Sequence, residues 1–367
     1  AYDSGALSNR NVIINGAMQV AQRGTSFASV GNVYTLDRFQ MYKQNSGAAF
    51  TVTQSSVTDL AGFSNALKVD CTTADTSLAS NEQGYVSYFA EGQDLQRFQK
   101  GYATALGFTL SFYVKTNKTG LYTVSMFDRD NTRKVNGSYT VTDTSWNRYT
   151  ISFPADTTGK FDDDNASSLE IFFNLYAGAD TNTGTLSETW AASADAGSTT
   201  GQVNFADSTS NDWEITGVQF ETGSEATPFE HRSFDEEFRR CSRYYQHSNS
   251  TGVKPTNGSN STSFGTGYRA LANVNIWGGS SAGRVWEMVR DAPMRATPTG
   301  TKFGNDSGYY ACIVHGSTSA PNSDNTVTFH ENLMLRTEDA CFISFDNQSS
   351  GNTVWGVMGG FELDAEL

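Results

Sequence analysis

The sequence contains no long apolar run. No stretch approaches the roughly 20 consecutive apolar residues that a helix needs to cross a bilayer. The first residues, AYDSGALSNRN, show no basic region followed by an apolar one, which is the pattern of a secretion signal. These absences predict a soluble protein that does not insert into membranes and carries no secretion signal at this end.

Basic residues are outnumbered by acidic ones. The 367 residues include 25 Lys and Arg against 39 Asp and Glu, which gives a formal net charge of -14. A surface this negative repels phosphate backbones and anionic lipid headgroups. The charge therefore predicts that neither nucleic acid nor a membrane surface is a partner.

Cysteine and histidine are both scarce, with four residues of each. The cysteines lie far apart and form no CxxC pair: Cys71, Cys241, Cys312 and Cys341. The histidines show no HxH or HExxH spacing: His231, His247, His315 and His330. These patterns argue against a zinc site and against a dense disulfide scaffold, and they favour free, buried thiols.

Proline is also scarce, with six residues, whereas aromatic residues make up 13% of the chain. There is thus ample material for packed cores. The chain exceeds the usual size of one domain, so we expect two.

Strict alternation of apolar and polar residues dominates the first 230 residues. The clearest example is TALGFTLSFYVKTNKTGLYTVSMFDRD, which predicts two strands joined by a turn at residues 117–120 as an antiparallel hairpin. The inward faces of these strands would consist of Phe108, Leu110, Phe112, Val114, Tyr122, Val124 and Met126.

Further alternating runs, such as NRYTISF, LEIFFNLYA and WEITGVQF, are separated by polar turns. Many short strands with few helical patterns predict an all-β fold, with a β-sandwich in residues 1–230. The polar segment 192–212 reads as a long surface loop. Short strands return after residue 268 and predict a small C-terminal β-sandwich within residues 248–367.

A short connecting helix is predicted within residues 231–247. Ser233 and Glu236 form a capping box, acidic residues follow in the first turn, and arginines lie toward the end. One apolar face would consist of Phe234, Phe238, Cys241 and Tyr245. Because so short a helix is unstable alone, we predict that this face packs at a domain or subunit junction and serves assembly.

The segments NVIINGAMQVAQRGTSF and YTLDRFQMYK resemble the N-terminal pattern of phage tail-fibre and related virion structural proteins that carry a carbohydrate-binding-module-like jelly roll. The joint GVQFETGSEATPFEHRSFDEEFRRCSRYYQ is similar to the segment that closes this jelly roll, and APMRATPTG and FELDAEL resemble the end of such proteins. These landmarks span nearly the whole chain, and their order supports the resemblance.

The resemblance implies a virion component with an N-terminal jelly roll and a C-terminal β-rich assembly or receptor-binding domain. It further implies a homotrimer that contacts other virion proteins and binds a host cell-surface saccharide. Jelly rolls of this kind often hold a structural calcium through acidic residues in the first and last strands. The corresponding positions here, Gln19 or Val20 and Thr216-Gly217, are not acidic, so a calcium is not favoured and we predict no cofactor.

Candidate sugar-binding residues follow from the strand LEIFFNLYA. If Leu169, Ile171 and the following odd-numbered residues point into the core, Phe172, Asn174 and Tyr176 point outward. Tyr113 has the same outward parity on its own strand, so Tyr113, Asn174 and Tyr176 could form one shallow platform. The alternative is that a loop or a neighbouring subunit covers them.

Two further aromatic residues are candidates for sugar binding, Tyr85 in GYVSYFA and Trp190 in SETWAAS. An indole in a polar loop such as Trp190 either anchors that loop or meets a ligand.

Other motifs have simpler interpretations. Residues 279–283 match the letters of GxSxG, but that motif needs a strand, a turn and a helix in an α/β fold, so we predict no catalysis there. The acidic run at residues 162–165 matches no helix-loop-helix calcium loop and reads as a solvated turn.

Taken together, the sequence predicts a non-enzymatic virion component that binds host-surface glycan as an oligomer. Two alternatives stay open at this point. One is a purely structural head or tail decoration that binds other virion proteins, and the other is a polysaccharide-degrading tail protein.

Overall fold

The computed structural model describes residues 9–247 continuously, and in the C-terminal part residues 284–289, 294–295, 299–303, 311–315, 327–329, 335–336, 340–347, 353–358 and 360–367. The chain divides into two compact units, one reaching to Glu237 and the other running from Phe238 to Glu366. This division falls inside the segment 231–247 that the sequence assigns to a connecting helix. Separate roles for residues 1–230 and 248–367 stay a prediction.

The first unit is built almost entirely from strands. They are β1 Ser26–Phe27, β2 Val33–Tyr34, β3 Phe39–Gln44, β4 Ala49–Ser56, β5 Asn65–Thr73, β6 Gln83–Glu91, β7 Phe108–Thr116, β8 Gly120–Asp128, β9 Arg133–Val141, β10 Asn147–Phe153, β11 Ser167–Ala177, β12 Ala191–Ala192 and β13 Asp212–Thr222. A one-turn helix, α1, spans Gly92–Leu95.

These strands form two antiparallel sheets that enclose one core. The six-stranded sheet has the order β1-β4-β5-β13-β7-β10, and the seven-stranded sheet has the order β12-β9-β8-β11-β6-β3-β2. Alternate side chains from both sheets meet in a single apolar cluster that includes Phe112, Phe173 and Trp213. This jelly-roll sandwich confirms the all-β fold class.

The predicted hairpin of β7 and β8 is wrong, although their inward faces were predicted correctly. β7 pairs with β10 and β13, whereas β8 pairs with β9 and β11 in the other sheet. Phe112 from β7 and Val124 from β8 are both fully buried in the shared core. Alternation fixes which side of a strand faces inward, but two strands that face each other across a core show the same pattern as two paired strands.

The N-terminal segment is held by the last strand of the sandwich and by the residues that follow that strand. Val12 donates a backbone hydrogen bond to Phe220 (3.0 Å). The buried guanidinium of Arg232 donates to the carbonyl oxygens of Asn11 and Ile13 and pairs with Glu237 at 2.9 Å. The beginning and the end of the first unit therefore close on each other.

The connecting helix, α2, spans Phe234–Ser242. Its N-terminus is capped as predicted, since the Glu236 amide donates to the Ser233 hydroxyl at 3.3 Å. The helix ends earlier than expected because the amide of Tyr244 bonds back three residues to Cys241.

The predicted apolar face of the helix is therefore incomplete. Tyr245 does not extend it, since this residue belongs to a strand, β14 Tyr245–His247. Cys241 is buried and Phe238 is half-buried, whereas Phe234 is 55% exposed.

The second unit is also β-structured. Beyond β14, its strands are β15 Arg284–Val289, β16 Thr299–Phe303, β17 Ala311–His315, β18 Val327–Phe329, β19 Leu335–Arg336, β20 Ala340–Asn347, β21 Thr353–Met358 and β22 Gly360–Asp364. They form small antiparallel sheets centred on the pairings of β22, β20 and β21. Residues 279–283, with the GxSxG letters, lie outside the described residues.

Cys71 is a buried free thiol, and Cys241 is also buried. In the described part of the chain, no helix has the length and apolar character needed to cross a bilayer.

Candidate functional site

The outer face of the seven-stranded sheet carries aromatic and amide side chains. In β3, FQMYKQ, the residues Phe39 and Met41 enter the core, so Gln40, Tyr42 and Gln44 lie on the outer face. The same alternation in β6 and β11 places Gln83, Tyr85, Ser87 and Phe172 beside them. We call the outward side chains of β3 and β6, together with Phe172 of β11, the open half of this face.

An aromatic row crosses the open half. Tyr42 and Tyr85 are direct cross-strand partners, and their rings stack at 4.6 Å between centroids with 12° between planes. The Tyr85 ring lies 4.5 Å from that of Phe172 at 45°. All three side chains are half-buried. Burial raises the pKa of Tyr85 above its ordinary value, so its hydroxyl stays protonated and can donate a hydrogen bond.

Amide groups flank the aromatic row. Gln83 donates to the Gln44 side-chain oxygen at 2.7 Å, and the Tyr42 hydroxyl donates to the same oxygen at 3.3 Å. Gln40 accepts a long hydrogen bond from Ser87 at 3.5 Å. The amides are thus partly oriented by their neighbours, and they combine donors and acceptors on an uncharged surface.

Charged groups occur farther along the same face and balance one another. Glu170 of β11 pairs with Arg129. Burial raises the pKa of Glu170, although Arg129 and Lys134 oppose that shift. Burial lowers the pKa of Lys134, while Asp195 and Glu170 favour its charged form. The two acidic and two basic side chains therefore leave this region without a strong electrostatic field of either sign.

Residues 181–202, which we call the strap, cover the outward side chains of β8 and β9. Thr123 and Ser125 of β8 and Asn136 of β9 are each at most 2% exposed. The Thr123 amide donates to the Gln202 side-chain oxygen at 2.7 Å, and the Asn136 amide group donates to the Ser187 carbonyl at 3.0 Å. Residues 192–202, which belong to the predicted surface loop 192–212, therefore help to cover the outward side chains of β8.

The predicted platform of Tyr113, Asn174 and Tyr176 is wrong. Tyr113 belongs to β7 in the six-stranded sheet, whereas the other two belong to β11 in the seven-stranded sheet. Tyr176 is fully buried and stacks on Phe50 at 5.6 Å. A register shift between Asn174 and Tyr176 interrupts the alternation and turns Tyr176 into the core.

Tyr113 is covered by aromatic neighbours on its own sheet. Its half-buried ring lies 5.2 Å from Phe63, which in turn contacts Phe229 and His231 at 5.2 Å each. The loop alternative that the sequence left open describes this residue better than a free platform.

The structure brings Asn174 and Tyr85 together as cross-strand partners on the outer face. Asn174 is nevertheless buried, and its amide donates to the hydroxyls of Thr123 (3.1 Å) and Ser125 (3.2 Å). Of this pair, Tyr85 is the residue that belongs to the aromatic row. Its role in sugar binding stays a prediction.

Trp190 anchors its loop. Its indole N–H donates to the Pro154 carbonyl at 3.1 Å, and its ring lies 6.0 Å from Phe108 and 5.0 Å from the Lys100 ammonium. This is the first of the two alternatives that the sequence allowed. A contact with ligand is not needed to explain the indole.

Sequence reasoning missed Tyr42 and the three glutamines of the open half. The signal was present in FQMYKQ, where aromatic and amide residues alternate with core residues. It was also present in Phe172, whose outward parity was clear. The missing information was strand order, which places β3 next to β6.

Metal-ligating groups do not cluster in the part of the chain that the structure describes, since no set of three or more His, Cys, Asp or Glu residues is placed to hold an ion. The acidic turn at residues 162–164 is exposed, and the Asp164 side chain accepts from the Ala166 amide at 2.9 Å.

Comparison with known proteins finds likeness at the level of the fold. No protein-family model matches the sequence, and no curated protein matches it. A putative sugar binding protein from Bacteroides thetaiotaomicron is similar at 12% identity and a TM-score of 0.34, over 58% of this chain and 100% of that one.

Two further solved structures are similar at the same level. A Family 11 carbohydrate-binding module of a cellulosomal cellulase from Clostridium thermocellum shares 14% identity with a TM-score of 0.28, over 56% of this chain and 98% of that one. A cyclase from Fischerella sp. TAU shares 8% identity with a TM-score of 0.33, over 59% and 99%. Function has to be argued from the site itself.

Proposed function

We propose that the first unit binds a neutral saccharide on the open half of the outer face. The observation that carries the proposal is the aromatic row, whose half-exposed rings lie beside the amides of Gln40, Gln44 and Gln83. A sugar ring packs its C–H face on an aromatic surface and bonds its hydroxyls to amide groups. The open half offers both kinds of contact, and its half-exposed side chains carry no charge.

The arrangement of the rings limits how a sugar binds. Tyr42 and Tyr85 cover each other's facing surfaces, and Phe172 covers part of Tyr85 from the other side. Tyr42 and Phe172, at the ends of the row, each keep one ring face that the row does not occupy. Tyr85 contributes its edge and its hydroxyl.

The test is saccharide binding by the full chain on a glycan array, followed by calorimetry with the best ligand. We expect Tyr42→Ala and Phe172→Ala each to weaken binding about 3- to 10-fold, the range of an aromatic contact. The matched control is Tyr102→Ala, because Tyr102 is 48% exposed on a loop away from this face. Equal losses in all three variants, or no selectivity on the array, would refute the proposal.

Binding without cleavage is part of the proposal. The carboxylate of Glu170 lies on the same face but is paired with Arg129, whereas glycoside cleavage uses two carboxyl groups that flank the scissile bond. Incubation with host surface polysaccharide should release no oligosaccharides. Release that Glu170→Gln stops would favour the polysaccharide-degrading alternative.

The biological setting that we propose is a phage virion, in a tail fibre or fibre-like adhesin that attaches to host glycan. The support is the order of sequence landmarks from NVIINGAMQV to FELDAEL. An oligomer, which we propose to be a homotrimer, would present several weak sites at once and raise the overall affinity by avidity. Light scattering should then give about three times the 39.9 kDa of one chain; a monomer at micromolar concentration would contradict this.

A further inference from the structure

We infer that the strap closes the binding face on one side, so that the site takes the end of a saccharide chain and excludes internal segments. This inference rests on the proposed function and concerns which part of the saccharide is recognised. It depends on the direction of the aromatic row, on what lies beyond the row, and on how firmly the strap is held.

The aromatic row runs across the strands. Tyr42 of β3 faces Tyr85 of β6, and Phe172 of β11 faces Ser87, the next outward residue of β6. Neighbouring strands lie about 4.8 Å apart, so a ligand that follows the rings moves from β3 toward β8. A chain bound along this line needs an exit at each end of it.

The line continues into buried side chains. Phe172 faces Ser125 of β8, and Ser125 faces Asn136 of β9. Ser125 and Asn136 are each 2% exposed. The Ser125 hydroxyl donates to the Ser198 carbonyl at 3.4 Å, and the Asn136 amide donates to the Ser187 carbonyl at 3.0 Å. The strap therefore stands where the next sugar units would lie.

The strap is tied to itself. Thr199 bonds to Thr181 through backbone atoms (3.1 Å) and through their hydroxyls (3.0 Å). Asn182 accepts from the Gly201 amide at 2.8 Å and donates to the Gln202 carbonyl at 3.1 Å. The two ends of the strap are therefore joined to each other by hydrogen bonds.

The strap is also tied to the sheet through the Gln202 side chain. Gln202 accepts from both the amide and the hydroxyl of Thr123 and donates to the Leu175 carbonyl at 3.1 Å. Displacing the strap would leave these buried polar groups unpaired, which is costly. We therefore expect the strap to stay in place when a ligand binds beside it.

The opposite side of the row is open. Gln40, Tyr42 and Gln44 of β3 are half-exposed, and Asn32, which precedes the neighbouring short strand β2, is exposed. A saccharide that follows the row can leave the face in this direction. Its terminal unit would then lie near Phe172, against the strap.

The experiment counts binding sites per gram of polymer. The full chain is titrated calorimetrically with linear galactan, mannan and amylose, each intact and after partial acid hydrolysis to a known mean chain length. For the polymer that binds, we expect the number of sites per gram to rise in inverse proportion to chain length, because each molecule offers the same number of ends. An unchanged number of sites per gram would overturn the inference while leaving saccharide binding intact.

A variant separates the strap from other causes of end selectivity. Gln202→Ala removes the bonds to Thr123 and Leu175, and we expect it to bind intact polymer at more sites per gram than the wild type. The control is Glu188→Ala, an exposed strap position, which should behave as the wild type does. An unchanged site number in a folded Gln202→Ala protein would show that the strap is not the barrier. Absence of binding heat with every polymer, short or long, would instead overturn the proposed function itself.

Discussion

The ammonium group of Lys100 lies inside the first unit between two carboxylates. It is 2.5 Å from Asp128 and 3.1 Å from Asp156, and the side chains of Lys100 and Asp128 are fully buried. The carbonyls of Thr158 and Gly159 complete its surroundings. Removing one member of a buried ion cluster leaves the remaining charges uncompensated, which costs more than losing the attraction alone.

We expect Lys100→Met to lower the free energy of unfolding by about 3 to 5 kcal/mol. The matched control is Lys115→Met, since Lys115 pairs with Asp59 at 2.6 Å at the protein surface. Exposed pairs contribute little, so this variant should unfold close to the wild type in urea. Similar losses in the two variants would show that burial does not set the strength of the Lys100 cluster.

Asp156 gives the fold a defined pH dependence. Burial by itself would raise the pKa of Asp156, but hydrogen bonds from Arg133, the Thr158 amide and Lys100 outweigh it and hold the pKa below the ordinary value of 3.8. A carboxyl whose pKa is lower when folded stabilises the protein above its unfolded pKa, and this contribution disappears as the pH falls through the folded value.

We therefore expect the wild-type urea midpoint to drop as the pH falls below about 4. Asp156→Asn should be less stable than the wild type at pH 7, and the difference should shrink in acid. Asp163→Asn, in the exposed acidic turn, is the control and should follow the wild-type curve. A constant difference between Asp156→Asn and wild type across this pH range would contradict the assignment.

At the scale of elements, the register shift in β11 depends on a glycine in the neighbouring strand. Tyr176 faces Gly84 of β6 across the ladder. A Cβ atom on Gly84 would lie 2.2 Å from a ring carbon of Tyr176 and 2.5 Å from the next. The absence of a side chain at position 84 is what allows the tyrosine ring to lie in the core.

We expect Gly84→Ala to destabilise the first unit by about 1 to 3 kcal/mol, as overpacking of a dense core does. Gly31→Ala is the matched control, because its nearest neighbour would be the flexible Lys43 side chain at 3.5 Å. The melting temperatures of both variants, measured by thermal unfolding, test this prediction. An unperturbed melting temperature in Gly84→Ala would mean that Tyr176 can occupy another position.

These elements also show what a single sequence can and cannot predict. Alternation correctly placed Phe112 and Val124 in the core, since parity along a strand is a local property. It failed at Tyr176, where one extra residue reverses parity, and the only local trace of that event was a glycine in the partner strand. It also failed for the β7–β8 hairpin, because pairing depends on residues far apart in the chain.

The candidate site was predictable only in part for the same reason. Tyr85 was identified, but its ring partners Tyr42 and Phe172 come from strands more than 40 and 80 residues away in sequence. Only residues 192–202 of the strap fall in the predicted loop 192–212, and nothing in the composition of the strap shows that its polar side chains match the hydroxyls and amides of β8 and β9.

At the scale of the whole molecule, charge governs association. Each chain carries a formal charge of -14, so copies repel one another at long range. Salt screens this repulsion, and the Debye length falls from about 30 Å at 0.01 M to about 8 Å at 0.15 M. We expect the proposed homotrimer to form at lower protein concentration in 0.15 M salt than in 0.01 M salt, as measured by sedimentation velocity. Dissociation on adding salt would instead indicate an interface made of ion pairs.

The closure of the first unit on its own beginning has a consequence for biosynthesis. Val12 and Ile13 are buried against residues that emerge from the ribosome some 200 positions later, since Val12 bonds to Phe220 and Arg232 bonds to the Ile13 carbonyl. At translation rates of about 5 to 20 residues per second, this apolar segment waits roughly 10 to 40 seconds without its native cover. During that interval a nascent-chain chaperone, or the corresponding segment of a neighbouring polysome-bound chain, can reach it first.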